Sequence, residues 1–328
     1  MGFSSRVMRG SLFAMLCMTA VTLSLIFAPV AATRAHNGLE NGFYRSSCPN
    51  VESIIFDSMR ASYKADKTVA PGVLRLAYHD CFVRGCDASL LLDGSNVEKN
   101  STINVGLHGF EAIDAAKEAV EKQCPNVVSC SDVLQFAVRD TVVLTGGKTW
   151  TVPAGRRDGK VSLESEVAAN LMRPNNTVPV LLKAFQKKGL TASQMVTLAG
   201  AHTIGKAPCV QFDNRLYPNV DPSLPSKFAS ELKSKCPMAG ITSTLVDLDR
   251  DSSTKFDTQY FKNVVNKMGL LTSDQSMLED SRTAGQVREN TDKSTFNDNF
   301  GKAMVALSKI GVLAGQSGEI RRQCRFVN

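Results

Sequence analysis

Histidine is scarce in this sequence and runs of basic residues are missing, and both absences narrow what the chain can do. No Lys/Arg cluster interleaved with aromatic residues occurs, so the electrostatic footprint of a nucleic-acid binder is lacking. No His-x-x-x-His pair is present, which removes the helical signature of a zinc hydrolase. Beyond Phe27 no apolar stretch approaches the ~20 residues that a membrane span needs. Strand-type alternation is sparse, and there is no tandem repeat or low-complexity tract. Acidic residues are missing altogether before Glu40.

That acid-free beginning has a layout of its own. Arg6 and Arg9 precede an apolar run from Leu12 to Phe27, and small residues follow from Ala28 to Ala35. This is the order of an export signal, expected to occupy residues 1–35 and to be cut between Ala32 and Ala35. Its removal takes away Cys17 and leaves eight of nine cysteines, an even set that reads as a disulfide framework in an exported chain. The spacing alone leaves their pairing open. The formal charge of +7 falls to about +4 once Arg6, Arg9 and Arg34 leave. Such dispersed positive charge suits weak attraction to an acidic matrix polysaccharide. Asn100-Ser101-Thr102 and Asn175-Asn176-Thr177 are glycan acceptor sequons.

About 290 residues remain, enough for one large domain or two lobes around a site. Their periodicity is helical. Val51 to Tyr63 places Val51, Ile54, Ile55 and Met59 on one face, and Phe110 to Val120 does so with Ile113, Ala116 and Val120. Ser131 to Leu144 is longer and more apolar, and ends at Gly146-Gly147. A capping box at Thr191 to Gln194 opens a helix expected to carry His202 and to stop near Gly205. Further helices are predicted at Val180–Lys188, Ser226–Lys235, Thr258–Lys267 and Phe296–Ile310. Lys206 to Leu245, rich in Pro, Ser and Asn, reads as an irregular excursion. The fold class is all-α with minimal β structure.

Two of the four histidines sit in chemically suggestive settings. Arg75 and His79 are one helical turn apart, so a permanent cation and an imidazole share one helix face. An oxygen-rich loop follows at once, with Asp80, Asp87 and Ser89 between Cys81 and Cys86. His202 lies in the apolar, small-residue segment Leu198 to Gly205. One histidine with an arginine partner and another in an apolar setting suggest a cofactor held between two helices. The plain alternatives are a surface Arg/His pair and a core histidine. His36 and His108 sit near a terminus and in a Gly-flanked turn.

These residues belong to a series of blocks that resembles the secreted plant (class III) haem peroxidases. The blocks are Phe43-Tyr44 with Ser47-Cys48-Pro49, Arg75 to Leu91, and Val127 to Asp132. Then come Gly155-Arg156-Arg157-Asp158, which reads as structural, Ala199 to Gly205, Phe256-Asp257 and Leu271 to Gln275. They run in order from about Phe43 to Val327. The resemblance implies a fold of two helical lobes sandwiching haem b within a domain at 36–328. Residues 36–170 plus the C-terminal tail would form the distal lobe, and 171–300 the proximal one. It implies four disulfides: Cys48–Cys124, Cys81–Cys86, Cys130–Cys324 and Cys209–Cys236. It further implies a monomer, secreted to the cell wall, apoplast or vacuole, that reduces hydrogen peroxide and oxidises phenolic molecules in one-electron steps. Such an enzyme belongs to the response to oxidative stress.

The same resemblance assigns roles. His79 is the acid–base, Arg75 the electrostatic stabiliser, and Asn104 the acceptor that orients His79. Asn104 is the least regular of these, because the stretch from Glu98 to Phe110 is one residue short of the family pattern and carries His108 where an Arg is customary. His202 is the haem-iron ligand, with Asp274 behind it. Two calcium ions are implied, both suited to oxygen donors. One set is Asp80, Asp87 and Ser89 with the Val83 and Gly85 carbonyls. The other is Thr203, Asp249, Ser252 and Asp257 with the Lys255 carbonyl. Two positions depart from the family: Tyr78 stands for a distal Phe, and Met172 replaces a Pro at the donor-binding edge. The competing reading is a haem-binding extracellular protein with little turnover, acting as a sensor or matrix module.

Overall fold

The computed structural model describes residues 38–238 and 244–328, so the leader expected at 1–35, with Cys17, and His36 lie outside the described residues. Twelve α-helices occur among the described residues. They are α1 (Val51–Ala65), α2 (Val69–Val83), α3 (Phe110–Gln123), α4 (Cys130–Leu144), α5 (Glu164–Asn170) and α6 (Val178–Lys187). There follow α7 (Ala192–Ala199), α8 (Ser226–Lys235), α9 (Gln259–Val265), α10 (Thr272–Glu279), α11 (Ala284–Glu289) and α12 (Lys293–Leu307). None of the described helices is long and apolar enough to cross a membrane. Strand content is slight. β1 (Glu40–Asn41) pairs antiparallel with β2 (Pro153–Ala154), and β3 (Lys206–Pro208) with β4 (Leu245–Asp247).

Helix starts follow side-chain capping. The Ser129 hydroxyl accepts from the Asp132 amide at 3.0 Å to open α4, and the Asp292 carboxylate accepts from the Thr295 amide at 2.8 Å to open α12. The Thr191–Gln194 box forms at α7 as expected. That helix ends earlier than its sequence pattern predicts: it stops at Ala199, and His202 sits in a tighter 3-10 turn, Gly200–Thr203. Small residues at 199–201 allow the chain to tighten there. The short helices α5, α10 and α11 went unpredicted because each spans two turns or fewer and shows no full apolar period.

Packing forms two neighbourhoods within one continuous core. Helices α1 and α2 lie on α4, and α3 packs on both α1 and α4. In the other group α7 packs on α6, α11 and α12, and α9 on α10 and α11. α4 is buried on nearly every side, the pattern of a central helix. The segment expected to be irregular, Lys206 to Leu245, instead carries its own apolar cluster: Phe212, Leu216, Phe228, Leu232 and Val246. All four disulfides implied by the resemblance are present.

A buried ionic network ties distant segments together. Arg156 and Asp132 pair at 2.8 Å with neither side chain exposed. Asp132 also accepts from the Tyr44 hydroxyl at 2.7 Å and from the Gly155 amide at 2.7 Å. Arg156 donates to the Ser308 carbonyl, just past α12, at 2.9 and 2.6 Å. Gly155 to Asp158 is therefore structural. Asp158 accepts from the Cys130, Ser131 and Arg321 amides, which fastens the C-terminal tail to the start of α4.

Removing one partner of such a pair leaves a buried, unmatched charge. We expect Arg156→Ala to lower unfolding free energy by ~3–5 kcal/mol. Arg60→Ala, which breaks an exposed pair with Asp57, should cost at most about 1 kcal/mol. Chemical denaturation of both variants checks this; equal losses would contradict the network's role.

Candidate functional site

Helix α2 carries the first wall. Its only residues that are not buried are Pro71, Arg75 and Tyr78, which fall on one stripe at helical spacing. Arg75 Nε donates to His79 Nε2 at 3.2 Å, and its Nη2 donates to the Ile103 carbonyl at 3.2 Å. His79 Nδ1 lies 2.6 Å from Asn104 Oδ1, while Asn104 Nδ2 donates to the Glu98 carbonyl at 2.7 Å. That second bond fixes the amide's orientation, so Asn104 presents an acceptor and His79 carries its proton on Nδ1. Nε2 is left with a lone pair. Burial, and then the Arg75 charge, push the His79 pKa down to about 3 against the pull of Asn104, so the ring is neutral.

The second wall is the turn after α7. His202 Nδ1 donates to Asp274 Oδ1 at 2.9 Å, and Asp274, at the start of α10, is itself buried. Tyr260 donates its hydroxyl to the same oxygen at 2.9 Å and sets its ring edge-on to His202. Burial opposes protonation of His202, but the Asp274 charge and hydrogen bond outweigh it and raise the pKa. The imidazole keeps 37% of its side-chain surface accessible. Leu198, Ala199 and Ala201 beside it are only partly buried although apolar. The Arg75 charge acts on His202, so the two walls face a common space. A ring nitrogen free for a metal, apolar partly open neighbours, and a neutral imidazole with a guanidinium opposite fit an iron porphyrin.

Two oxygen clusters flank these walls. Beside His202, the Thr203 hydroxyl lies 3.2 Å from Asp249 Oδ2, 3.4 Å from the Lys255 carbonyl and 3.4 Å from Asp257 Oδ1. The Ser252 hydroxyl lies 3.1 Å from both Asp249 Oδ2 and Asp257 Oδ1. A hydroxyl has one proton, so most of these close oxygens have nothing between them to share. All five residues expected to ligate here are brought together.

Beside His79, the other set is gathered too. Asp80 accepts from the Ala88 and Leu90 amides at 3.0 and 3.3 Å, and Asp87 accepts from the Ser89 amide at 3.0 Å. The chain turns tightly between them, where the Gly85 backbone presses on Gly311 and the Cys86 amide donates to the Ile310 carbonyl at 2.8 Å. Burial raises the Asp80 pKa well above its ordinary value, helped by the charges of Asp87 and Glu98. Glu98, missed in the sequence, is buried with its pKa raised to about 7 by the same burial and by Asp87. Its oxygens and the Ser89 hydroxyl lie close but complete no hydrogen bond of normal geometry. Among the described residues no three His, Cys, Asp or Glu side chains alone could hold an ion, so both sets depend on hydroxyls and carbonyls.

Tyr78 and Met172, the two departures, turn out to be neighbours. The Met172 amide donates to the Tyr78 hydroxyl, while burial raises the phenol's pKa. The Tyr78 ring leans on Phe82, with centroids 4.4 Å apart, and stands edge-on to His79 at 5.5 Å. Asn100 and Asn175 are exposed.

A neutral, base-competent imidazole beside a guanidinium, facing a carboxylate-backed imidazole across an apolar space in a helical scaffold, defines a haem protein built to act on peroxide. The comparisons with known proteins agree: the family described as Peroxidase matches residues 55–293. Peroxidase 71 of Arabidopsis thaliana is 45% identical over 305 residues, covering 92% of this chain and 91% of its own length. Peroxidase 5 of Vitis vinifera is 46% identical, covering 88% and 92%, and Peroxidase N1 of Nicotiana tabacum is 43% identical, covering 89% and 91%. The chain belongs to the plant class III peroxidases. It is a haem peroxidase whose substrates are hydrogen peroxide and a reducing donor, and the low-turnover reading is not favoured.

The Tyr78–Met172 bond lies beside His79, so removing the hydroxyl should register in the donor reaction. Tyr78→Phe is expected to change the donor-oxidation rate constant about two- to tenfold, the worth of one net hydrogen bond. Stopped-flow donor oxidation tests it, and identical kinetics would make Tyr78 a passive wall.

Proposed function

We propose that this protein is a secreted peroxidase that oxidises phenolic donors, with His79, Arg75 and Asn104 activating peroxide and His202 holding the haem iron. The observation that carries this reading is the pair of opposed imidazoles, each with its Nδ1–H tied to an oxygen acceptor. Bound haem supplies the electron transfer between peroxide and donor. His202 Nε2 would bind the iron, and Asp274 would make that imidazole more electron-rich. His79 Nε2 takes the proton from one peroxide oxygen and returns it to the other as the O–O bond breaks. Arg75 stabilises the negative charge that develops on the departing oxygen. Asn104 keeps the His79 proton on Nδ1 so that Nε2 stays basic. The balance is one peroxide and two phenols to two waters and two phenoxyl radicals.

The two flanking oxygen clusters are proposed calcium sites: Asp80, Val83, Gly85, Asp87 and Ser89 on one side, and Thr203, Asp249, Ser252, Lys255 and Asp257 on the other. What supports them is the crowding of buried, mutually repelling oxygens that a hard cation would relieve. Asp80 and Thr203 each adjoin a site histidine in the chain, so each ion would brace one wall. The domain limits at 36–328, the two-lobe division near residue 170, export to the cell wall, apoplast or vacuole, the monomeric state and glycans on Asn100 and Asn175 belong to the same proposal. So do the donor edge at Met172 and weak attachment to acidic polysaccharide.

Two experiments separate the roles. His202→Ala should lose haem, read from its absorption band, whereas His79→Ala should keep haem and react with peroxide ~10²–10⁴-fold more slowly. Equal peroxide rates for wild type and His79→Ala would remove the acid–base assignment.

Calcium removal should loosen the haem environment before the chain unfolds, because metal binding is coupled to local folding. A chelator that leaves spectrum and activity untouched, or elemental analysis without calcium, would overturn both sites.

A further inference from the structure

His108 is the loop histidine that neither wall uses, and its ring is held between two acceptors. Nδ1 lies 3.0 Å from the Gly106 carbonyl oxygen and Nε2 lies 2.9 Å from the Thr68 carbonyl oxygen. Carbonyls only accept. A neutral imidazole has one N–H, so it satisfies one of them and turns a lone pair toward the other, whereas imidazolium donates to both. The ring also rests on bare helix backbone: a Cβ at Gly72 would stand 2.8 Å from His108 Cδ2 and 2.9 Å from Nε2. That contact accounts for a glycine inside α2.

The two carbonyls belong to the two segments that meet at the peroxide-binding wall. Thr68 is the N-cap of α2, which carries Arg75 and His79. Gly106 closes the turn that carries Ile103 and Asn104, whose oxygens accept from Arg75 and His79. His108 therefore fastens the same two segments at their other end. Two charged groups face it. The Asp66 carboxylate, in the α1–α2 turn and bonded to the Thr68 hydroxyl at 2.8 Å, interacts with the His108 charge and favours imidazolium. Arg75, whose Nη1 lies 3.8 Å from where a Gly106 Cβ would stand, opposes it from α2. Lys67 is directed onto the Tyr63 ring, and Glu111 on α3 pairs with Arg325.

We infer that His108 is a positioning residue that clamps the Asn104 turn to the start of α2 when protonated and releases one end of the clamp when neutral. This rests on the reading of His79 and Asn104 as the peroxide-activating pair and adds a pH dependence to it. The clamp is complete at acid pH and is lost as pH rises through the range, pH 5 to 8, where histidines change charge. An arginine at this position, charged throughout, could not do this.

The test compares the wild-type holoprotein with His108→Arg and His108→Gln at pH 5 and pH 8. Hydrogen exchange of residues 98–109, corrected for intrinsic rates, is read beside the peroxide rate constant. Wild-type protection relative to His108→Arg should fall about two- to tenfold between pH 5 and 8, the worth of one net hydrogen bond. The relative peroxide rate should fall with it. His108→Gln, which has a single donor group at every pH, should match wild type at pH 8 and fall short of it at pH 5. Should the arginine variant not fold, the wild-type and glutamine comparison decides alone. Constant protection ratios at both pH values would overturn the clamp. A pH-dependent protection ratio with no change in relative rate would overturn the positioning role, while the His79 and His202 assignments stand or fall on their alanine variants.

Discussion

A neutral imidazole has one N–H, and the site depends on where that single proton is placed. In His79 it is committed to the Asn104 amide oxygen, in His202 to the Asp274 carboxylate. Both reactive nitrogens are therefore lone pairs turned into one space. The difference lies in the acceptor. A neutral amide leaves His79 close to an ordinary base in a desolvating, positively charged setting, whereas a buried carboxylate draws His202 toward imidazolate character. One side chain type thus serves a proton shuttle on one wall and a metal ligand on the other.

The scaffold is organised to hold these two acceptors still. Asn104 is fixed by its bond to the Glu98 carbonyl, in a run of 3-10 turns between α2 and α3. Asp274 is fixed at the start of α10 and receives the Tyr260 hydroxyl as a second donor. Neither acceptor is on the element that carries its histidine, so each wall is a joint between segments distant in sequence. The flanking oxygen clusters lie at those same joints, one after His79 and one after His202.

Much of this was legible before any coordinates. The long periodic helices could be placed, with ends shifted by a few residues, and Arg75, His79 and His202 stood out by residue type and spacing. Asn104 was legible only through resemblance, and its irregular neighbourhood made it the least secure of the four; the contact forms nonetheless. Glu98 was invisible because nothing local marks a carboxylate that becomes buried only when the 98–104 turns fold onto the loop after α2. His108 was invisible for another reason: its partners are backbone carbonyls, and residue identities carry no record of where a carbonyl points. The short helices α5, α10 and α11 escaped because tertiary packing, not periodicity, stabilises them.

The tail has a consequence for how the molecule is made. Arg321 is wholly buried and donates to the Ala88 carbonyl at 2.6 Å, while its amide binds Asp158 and the Asp93 amide binds the Arg325 carbonyl. The loop that follows the distal histidine thus takes its shape from residues made last. A ribosome releases the N-terminal half of this chain many seconds before the residues that finish it. The oxygen-rich loop beside His79 must wait, incomplete, for the end of synthesis, so a chain cut short by a dozen residues would be damaged first at a site some two hundred residues upstream.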